Sequence, residues 1–189
     1  KALEEKDKLG NLVSCDDVGP MEEYVGCKID HNVEEQTLRF TQPVLVQSLK
    51  DELGAGKTCP RTPGVPGMSL QATEEQDTVE PKKHSWYCSA VGKMLHMMRW
   101  SRPDMLNSIR ETSRFLSGPN AAHANAVSRA MDFVVCTPER GLLLKPEGKW
   151  DGKDKSFPFR IRGKSDAEYA KDQATRRNVG GHVVYLCEA

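Results

Sequence analysis

The stretch of residues 87–119 constrains the fold most strongly, because its apolar residues recur twice at helical spacing. The first series is Val91, Met94, Leu95 and Met98, and the second is Met105, Leu106, Ile109 and Leu116. This spacing predicts two amphipathic helices in series. We expect Ser101 to cap the second helix and Pro103 to lie in its first turn. Gly118 and Pro119 are expected to end that helix.

The other segments predict an α+β fold around this helical pair. Further helices are predicted from residues 3–13, 43–53 and 120–135. Strands are predicted from residues 23–29, 37–40, 141–144, 157–164 and 183–186. The first two strands are expected to form a β-hairpin, and the polar residues 145–156 to connect the next two as another. Residues 59–79 are rich in Pro, Gly and polar residues, which predicts a long loop.

The formal net charge is zero, but the charges are unevenly distributed. Residues 1–80 carry 8 Lys or Arg and 16 Asp or Glu, whereas residues 81–189 carry 19 and 11. The first part is therefore acidic and the second basic. A polyanionic partner would be expected to bind the second part. Ordinary solvated surface charge explains the same distribution equally well.

The cysteines and the apolar runs limit the class of protein. The six cysteines are at positions 15, 27, 59, 88, 136 and 187, without a Cys-x-x-Cys pair. This wide spacing supports neither a zinc site nor a compact disulfide scaffold, so free thiols in a reducing compartment are expected. No apolar run approaches the ~18 residues that a membrane span needs, and no signal peptide opens the sequence. The chain is expected to be a piece of a longer protein.

Two short motifs imitate catalytic sites without meeting their requirements. Residues 54–58, Gly-Ala-Gly-Lys-Thr, resemble a phosphate-binding loop, but Asp51 stands where that loop needs its first glycine. Asp16 and Asp17 resemble the paired metal-binding carboxylates of a polymerase. They precede Val18, Gly19 and Pro20, so we interpret them as turn residues.

Trp100 has two competing interpretations. With the neighbouring Arg99 and Arg102 it has the composition of a site that stacks on nucleic acid and neutralises its backbone. A core tryptophan flanked by surface arginines fits the same residues. His123 has no sequence partner for a ligand role, and we interpret it as a packing residue.

Several spaced motifs occur in one order along the chain. They are Tyr87-x-Ser89-Ala90-Val91-Gly92-Lys93-Met94-Leu95, Arg102-Pro103-Asp104, Ser113-Arg114-Phe115-Leu116-Ser117-x-Pro119, Ser165-Asp166-Ala167-Glu168-Tyr169-Ala170 and Thr175-Arg176-Arg177. Together they resemble the Pol polyprotein of copia-type LTR retrotransposons, from the end of the reverse transcriptase palm into ribonuclease H. The resemblance covers roughly residues 15–186.

The resemblance implies a domain layout. Its parts are the palm end with a primer-contacting hairpin (1–58), a linker (59–84), a helical thumb or connection region (85–140) and the truncated, antiparallel start of a ribonuclease H-like sheet (141–189). It also implies that Tyr24, Gly26 and Lys28 lie close to the primer strand. The missing side chain of Gly26 would let a sugar-phosphate backbone approach, although a bulge explains that glycine equally well. The other residues expected to bind nucleic acid are Lys93, Arg99, Arg102, Arg176 and Arg177.

Asp166 matches the first metal-binding carboxylate of the ribonuclease H pattern. Glu168, Tyr169, Asn178 and Gly180 depart from that pattern. Hydrolysis needs several carboxylates around two Mg²⁺ ions, and one aspartate cannot hold that pair. We therefore expect Asp166 to be inactive alone and to bind Mg²⁺ only in a complete domain. The polymerase aspartates are expected outside this sequence.

The sequence is therefore interpreted as a fragment of a reverse transcriptase that grips the template–primer duplex. Its expected partners are RNA/DNA hybrid, the template–primer duplex and the rest of the Pol polyprotein, and not a membrane. Its expected location is a cytoplasmic virus-like particle or the nucleus. The alternative is a decayed or repurposed, non-catalytic interaction module derived from a retroelement.

Overall fold

A computed structural model describes residues 3–6, 12–15, 19–72, 77–148, 153, 156, 158, 160–168 and 179–186. In these residues the fold is mixed α+β, as predicted, with four α-helices and antiparallel sheets. The helices are α1 (Pro43–Leu53), α2 (Pro81–Trp100), α3 (Leu106–Ser113) and α4 (Ala121–Val135). The strands are β1 (Leu3–Lys6), β2 (Leu12–Cys15), β3 (Glu23–Tyr24), β4 (Cys27–Asn32), β5 (Thr37–Thr41), β6 (Leu142–Leu144), β7 (Ile161–Glu168) and β8 (Val179–Leu186).

The four helices pack into one core, here called the helical body. The predicted apolar series on α2 is buried at Val91 and Met94, and the series on α3 at Ile109. Val127 and Ala130 of α4 pack against them in the same cluster, where alanine allows a close helix–helix approach. The core also contains Met94, Met97, Met105 and Met131, whose flexible side chains fill irregular gaps.

The corner between α2 and α3 differs from its prediction. Ser101 does not cap the second helix; it is the C-cap of α2, and its hydroxyl donates to Oε1 of Gln42 at 2.7 Å. Pro103 opens a short 3₁₀ turn, Pro103–Met105, as expected of a first-turn proline. The chain thus passes from α2 into α3 with little extended backbone. α3 already ends at Ser113, earlier than the predicted end at Gly118.

One four-stranded antiparallel sheet has the strand order β3-β4-β5-β6. The predicted hairpin is confirmed, with Ile29 of β4 opposite Phe40 of β5. The predicted pairing of 141–144 with 157–164 is wrong, because β6 pairs with β5, placing Leu142 opposite Phe40. An added Cβ at Gly141 would lie 2.1 Å from the Phe40 carbonyl oxygen. Only glycine allows this close approach of the chain entering β6 to the end of β5.

The first and last strands form two separate antiparallel hairpins. β1 pairs with β2, so that Leu3 lies opposite Cys15, and the helix predicted over 3–13 is wrong. Between these strands the sequence contains Gly10 and Asn11, residue types that favour turns over helices. Asp16 and Asp17 lie outside the described residues. β7 pairs with β8 over eight residues each, and Asp166 lies opposite Gly181.

Residues 54–59 are fastened to α4 by a carboxylate. The backbone N–H groups of Gly56, Lys57 and Thr58 donate to Asp132 at 2.7, 3.3 and 3.0 Å, and the Thr58 hydroxyl donates at 2.6 Å. Burial opposes ionisation of Asp132, but these hydrogen bonds outweigh it and lower the pKa of the carboxyl. The Gly-Ala-Gly-Lys-Thr segment is thus an anion-binding loop whose anion is supplied by the chain itself.

A disulfide joins the same loop to the end of α4. Cys59 and Cys136 are bonded, with their Cα atoms 5.6 Å apart. The prediction of free thiols is wrong for this pair, while Cys27 and Cys88 are free. The two cysteines are 77 residues apart in the sequence, so their spacing gave no sign of the pairing. The docking of residues 56–58 on Asp132 brings them together in space.

α4 begins with a reciprocal cap. The Asn120 side chain accepts from the His123 N–H at 3.0 Å, and His123 Nδ1 accepts from the Asn120 N–H at 3.1 Å. Nδ1 is therefore unprotonated, and Nε2–H donates to the Gln71 carbonyl at 2.9 Å. The ring stacks on Phe115. The packing role predicted for His123 is confirmed.

Across the described ranges, no helix has both the length and the hydropathy to span a bilayer.

Candidate nucleic-acid interface

The turn between β3 and β4 presents several residues that the sequence associates with nucleic acid. The predicted single strand over 23–29 is interrupted by Val25 and Gly26, whose φ angles are 50° and 70°. Two successive positive φ values are typical of the tight turns that match strand twist in hairpins. A Cβ added at Gly26 would contact nothing within 4 Å, so backbone conformation explains this glycine. Val25, a β-branched residue, is strained there.

The turn docks on the C-terminal half of α2. The Tyr24 ring meets the Trp100 ring edge-on, with centroids 5.9 Å apart and an interplanar angle of 79°. His96 Nε2 lies 3.3 Å from the Val25 carbonyl oxygen. The Arg99 guanidinium carbon lies 5.8 Å from the Trp100 centroid. We call these five residues, Tyr24, Val25, His96, Arg99 and Trp100, the hairpin–helix patch.

The patch combines an accessible aromatic side chain with an accessible cation. Tyr24 is 50% exposed and Val25 is 44% exposed. Arg99 is exposed too, and among the described residues it has no ion-pair partner. Trp100 is half-buried, so it is neither a fully buried core residue nor a fully exposed stacking residue. An exposed ring beside an unpaired guanidinium is suited to a sugar-phosphate backbone.

Lys28 lies near the patch, but its charge is partly compensated. Its Nζ lies 3.0 Å from an Asp30 oxygen, and both side chains are exposed. Glu23 faces it across the β3–β4 pair. Exposed pairs of this kind are weak, so Lys28 remains able to exchange a carboxylate for a phosphate.

Lys93 and Arg102 take part in the packing of the helical body. Lys93 Nζ contacts the Ser48 hydroxyl and the Glu52 carboxylate, joining α2 to α1, and it lowers the pKa of Glu52. Arg102 is 1% exposed; its guanidinium donates twice to Asp104 at 2.9 Å and also to the Thr137 carbonyl. Arg102 is thus not accessible to a ligand in this structure. Arg176 and Arg177 lie outside the described residues.

Asp166 is exposed on β7, far along the chain from the patch. Across the described part of the chain, no group of three His, Cys, Asp or Glu residues is arranged to hold a metal ion. The residues described around Asp166 therefore do not fit a Mg²⁺ site, and we assign no metal-dependent step to them.

Sequence analysis missed two residues with structural roles. His96 links α2 to the Val25 carbonyl. In the sequence it is merely a polar residue between the apolar positions of a helix, which gives no sign of this contact. Asp132 had a clearer signal, since it is a carboxylate inside the apolar run Ala130-Met131-Asp132-Phe133-Val134. A charge at such a position requires hydrogen-bonding partners.

The chain is similar to several curated proteins. It is 26% identical over 182 residues to the retrovirus-related Pol polyprotein from transposon TNT 1-94 of Nicotiana tabacum, which covers 94% of this chain and 13% of the polyprotein. It is 26% identical over 125 residues to the polyprotein from transposon RE1 of Arabidopsis thaliana, covering 66% of the chain and 8% of the relative. Secreted RxLR effector protein 161 of Plasmopara viticola is 30% identical over 100 residues, 53% of this chain and 64% of that protein.

The chain thus spans only a small part of its polyprotein relatives. No protein-family model matches it. No solved structure matches it significantly.

Proposed function

This chain is related to the retrovirus-related Pol polyproteins of transposons, and on that premise we propose that it is the part of a reverse transcriptase that grips the template–primer duplex. The observation that carries the proposal is the hairpin–helix patch. Where the turn docks on α2, the patch brings together the exposed ring of Tyr24, the half-buried Trp100 and the guanidinium of Arg99. Among the described residues, Arg99 has no carboxylate partner.

The chemistry of the patch favours contacts with the nucleic-acid backbone. Arg99 supplies a charge for phosphate, while the Tyr24 ring and the Val25 side chain supply a surface for sugar. The patch has no row of amide or carboxylate side chains that would read base edges. Backbone contacts position a duplex and carry little sequence information. We therefore propose RNA/DNA hybrid and template–primer duplex as the ligands, bound with little dependence on sequence.

The proposal extends to the protein that contains this sequence. Its activity would be RNA-directed DNA synthesis with ribonuclease H hydrolysis, and its further partners would be the remaining Pol segments in a cytoplasmic virus-like particle or the nucleus. The described residues supply no site for Mg²⁺, so we propose binding and no polymerisation by this chain alone.

A salt titration with two matched variants tests the proposal. The affinity of the purified chain for a labelled RNA/DNA hybrid is measured by fluorescence anisotropy as salt is raised. We expect Arg99→Gln to weaken binding and to reduce the slope of log affinity against log salt by about 0.9, the contribution of one phosphate contact. The control is Arg61→Gln, since Arg61 is also exposed but lies in the 59–72 loop.

Two results would contradict the proposal. One is the absence of hybrid binding at low salt. The other is equal loss of affinity in Arg99→Gln and Arg61→Gln, which would indicate a diffuse charge effect without a defined patch. Tyr24→Phe and Tyr24→Ala separate the ring from its hydroxyl, and we expect only the alanine variant to weaken binding, by roughly tenfold.

The similarity to a secreted effector supports a second candidate, a non-catalytic interaction module derived from a retroelement. The Cys59–Cys136 disulfide agrees with it, because disulfides persist in oxidising compartments. This candidate predicts no preference for nucleic acid, so the hybrid titration separates the two functions.

A further inference from the structure

The Cys59–Cys136 disulfide lies at the surface of the helical body. Cys59 is exposed and Cys136 is half-buried, so a thiol in solution can reach the bond. In the part of the chain that the structure describes, neither cysteine belongs to the buried apolar core. Exposed disulfides are reduced more readily than buried ones and are typically the labile or regulatory bonds of a protein. This bond is therefore accessible to reversible reduction.

The two cysteines are held close together by contacts that do not involve sulfur. Asp132 and Cys136 are four residues apart on α4 and its C-cap, so they lie on the same face, one turn apart. The Asp132 carboxylate accepts hydrogen bonds from three backbone N–H groups and one hydroxyl of residues 56–58. Because Cys59 follows Thr58 directly, the carboxylate that binds Thr58 also places Cys59 beside Cys136.

These contacts are expected to survive reduction of the bond. None of the four hydrogen bonds to Asp132 uses a sulfur atom. Cys136 Sγ lies 3.3 Å from the Thr58 carbonyl oxygen, so the thiol that forms on reduction has an acceptor within reach. The docked segment would keep the two thiols at a high effective concentration, which favours re-formation of the same bond over other cysteine pairs.

The segment that follows the disulfide is held more loosely. Arg129 of α4 donates to the Thr62 hydroxyl at 3.2 Å, in a hydrogen bond that is exposed to solvent. Once the disulfide is reduced, residues 57–62 are retained by the bonds to Asp132 and by this exposed contact. Segments with solvent-exposed hydrogen bonds open locally at a small cost in free energy. Reduction is thus expected to permit opening of residues 57–62 while the helices stay packed.

We propose that Cys59–Cys136 is a reversible redox switch of residues 57–62, in which the disulfide holds the segment on α4 and Asp132 brings the two thiols back together after reduction. This inference goes beyond the grip on a duplex and uses none of the residues of the hairpin–helix patch. It also gives the bond a role in a reducing compartment, where disulfides are usually transient or redox-sensing.

The reductant of this switch is a dithiol, either a small molecule or a protein. One of its thiolates attacks the sulfur of Cys59, the more exposed residue, and forms a mixed disulfide while Cys136 leaves as a thiolate. The second thiol of the reductant attacks its own sulfur in the mixed disulfide and releases the Cys59 thiolate. Two electrons and two protons thus pass from the dithiol to the two cysteines, and the reductant becomes a disulfide. An oxidised dithiol reverses both steps.

A redox titration of the complete 189-residue chain tests the proposal. The chain is equilibrated in mixtures of reduced and oxidised dithiothreitol, free thiols are alkylated, and mass spectrometry quantifies Cys59 and Cys136 separately from the other four cysteines. We expect the same transition from both directions. Asp132→Asn should lower the equilibrium constant for disulfide formation by about tenfold, the size expected for one charge-assisted hydrogen bond.

Two control variants separate docking of the segment from general effects. Asp30→Asn removes an exposed carboxylate on β4, and Ile109→Val weakens the packing of the core in α3. Both should have the equilibrium constant of the unmodified chain, because neither residue holds residues 56–58.

Limited digestion with trypsin reports the open state of the segment. Lys57 and Arg61 lie on either side of Cys59 and are both exposed. We expect cleavage after these residues to be slowest in the oxidised chain, faster in the reduced chain and fastest in reduced Asp132→Asn. The reason is that proteolysis follows the population of the open form when opening and closing are fast.

Four results would overturn the proposal. The first is a bond in the folded chain that excess dithiothreitol does not reduce, or that does not re-form between the same two cysteines. The second is the same equilibrium constant for the unmodified chain and Asp132→Asn. The third is equal cleavage after Lys57 and Arg61 with and without the disulfide. The fourth is loss of the helical circular dichroism signal on reduction, since this would show that the bond is required for the fold and does not control a local segment.

Discussion

Two segments dock on the helical body from outside, and they do so in opposite ways. Residues 56–59 are held by four hydrogen bonds to Asp132 and by the Cys59–Cys136 disulfide. The turn at Val25 and Gly26 is held by a 3.3 Å contact to His96 and by the edge of one aromatic ring. The backbone N–H groups of residues 56–58 donate to a carboxylate of the chain itself, whereas Tyr24 and Arg99 beside the second segment are exposed. The loop that resembles a phosphate-binding loop therefore has a structural role, and the weakly docked turn is the candidate binding element.

The largest expected effect concerns the disulfide. Cys136→Ser opens a loop closed over 77 residues, and the loss of this restraint on the unfolded chain is expected to lower the free energy of unfolding by about 4 kcal/mol. Thermal and urea unfolding measure the loss. Cys88→Ser is the control, because Cys88 is a free thiol, and it should change stability little. Equal stability of the chain with and without reductant would contradict the prediction.

The next effect concerns the carboxylate that holds the loop. Asp132→Asn keeps an acceptor oxygen but removes the charge, so we expect a loss of about 2 kcal/mol at neutral pH. The lowered pKa of Asp132 also fixes the pH dependence. Its contribution is complete above the ordinary carboxyl pKa of about 3.9 and is lost as the pH falls through the lower pKa of the folded state.

Urea unfolding at several pH values separates these two effects. The unmodified chain should lose more stability than Asp132→Asn on acidification below about pH 4. Asp30→Asn is the matched control, since the pair that Asp30 forms with Lys28 is exposed. Parallel pH profiles for the unmodified chain and Asp132→Asn would show that the loop does not depend on the ionised carboxylate.

A smaller effect concerns the cap of α4. Burial lowers the pKa of His123, while its hydrogen bond to the Gln71 carbonyl opposes this shift. The folded state therefore releases the proton more readily than the unfolded state, and stability should fall as the pH drops below about 6.5. His123→Gln is expected to flatten this dependence and to cost about 1 kcal/mol at pH 7. The matched control variant is His31→Gln, since His31 is an exposed histidine outside this cap.

The smallest effect concerns the strained turn. Val25→Gly places the residue suited to a positive φ at this position, so we expect the free energy of unfolding to rise by about 0.5 kcal/mol or to stay level. A loss above about 1 kcal/mol would mean that Val25 packing outweighs backbone strain. The variant also tests binding, because a stable turn with weakened hybrid binding would identify the Val25 side chain as a contact.

The sequence predicted those elements whose signals are local. The helix at residues 43–53 has its proline in the first turn and its αL glycine at Gly54, as the residue types indicate. The apolar periodicity of α2, α3 and α4 predicted the core. The helix predicted over 3–13 was wrong, because a short charged stretch with a turn-forming middle fits a hairpin too.

Features that depend on distant residues were not predictable in the same way. The pairing of β6 with β5 joins residues more than 100 positions apart, such as Leu142 with Phe40 and Leu144 with Leu38, and no local pattern records it. The disulfide and the Asp132 contacts are likewise long-range. Sequence analysis predicted that Tyr24, Arg99 and Arg102 bind nucleic acid. Tyr24 and Arg99 lie together in the hairpin–helix patch. Arg102 is buried instead, because its guanidinium is bonded to Asp104 and Thr137, and no local pattern indicated these contacts.

The most direct measurement uses Trp100 as a reporter of the hairpin–helix patch. The chain has three tryptophans, so changing Trp86 and Trp150 to Phe leaves Trp100 as the single emitter. A saturating RNA/DNA hybrid is added, and the emission and its quenching by acrylamide are recorded. If the patch grips the duplex, the emission of Trp100 will change and the side chain will become protected from acrylamide. Saturable hybrid binding that leaves both the emission and the quenching of Trp100 unchanged would contradict the account.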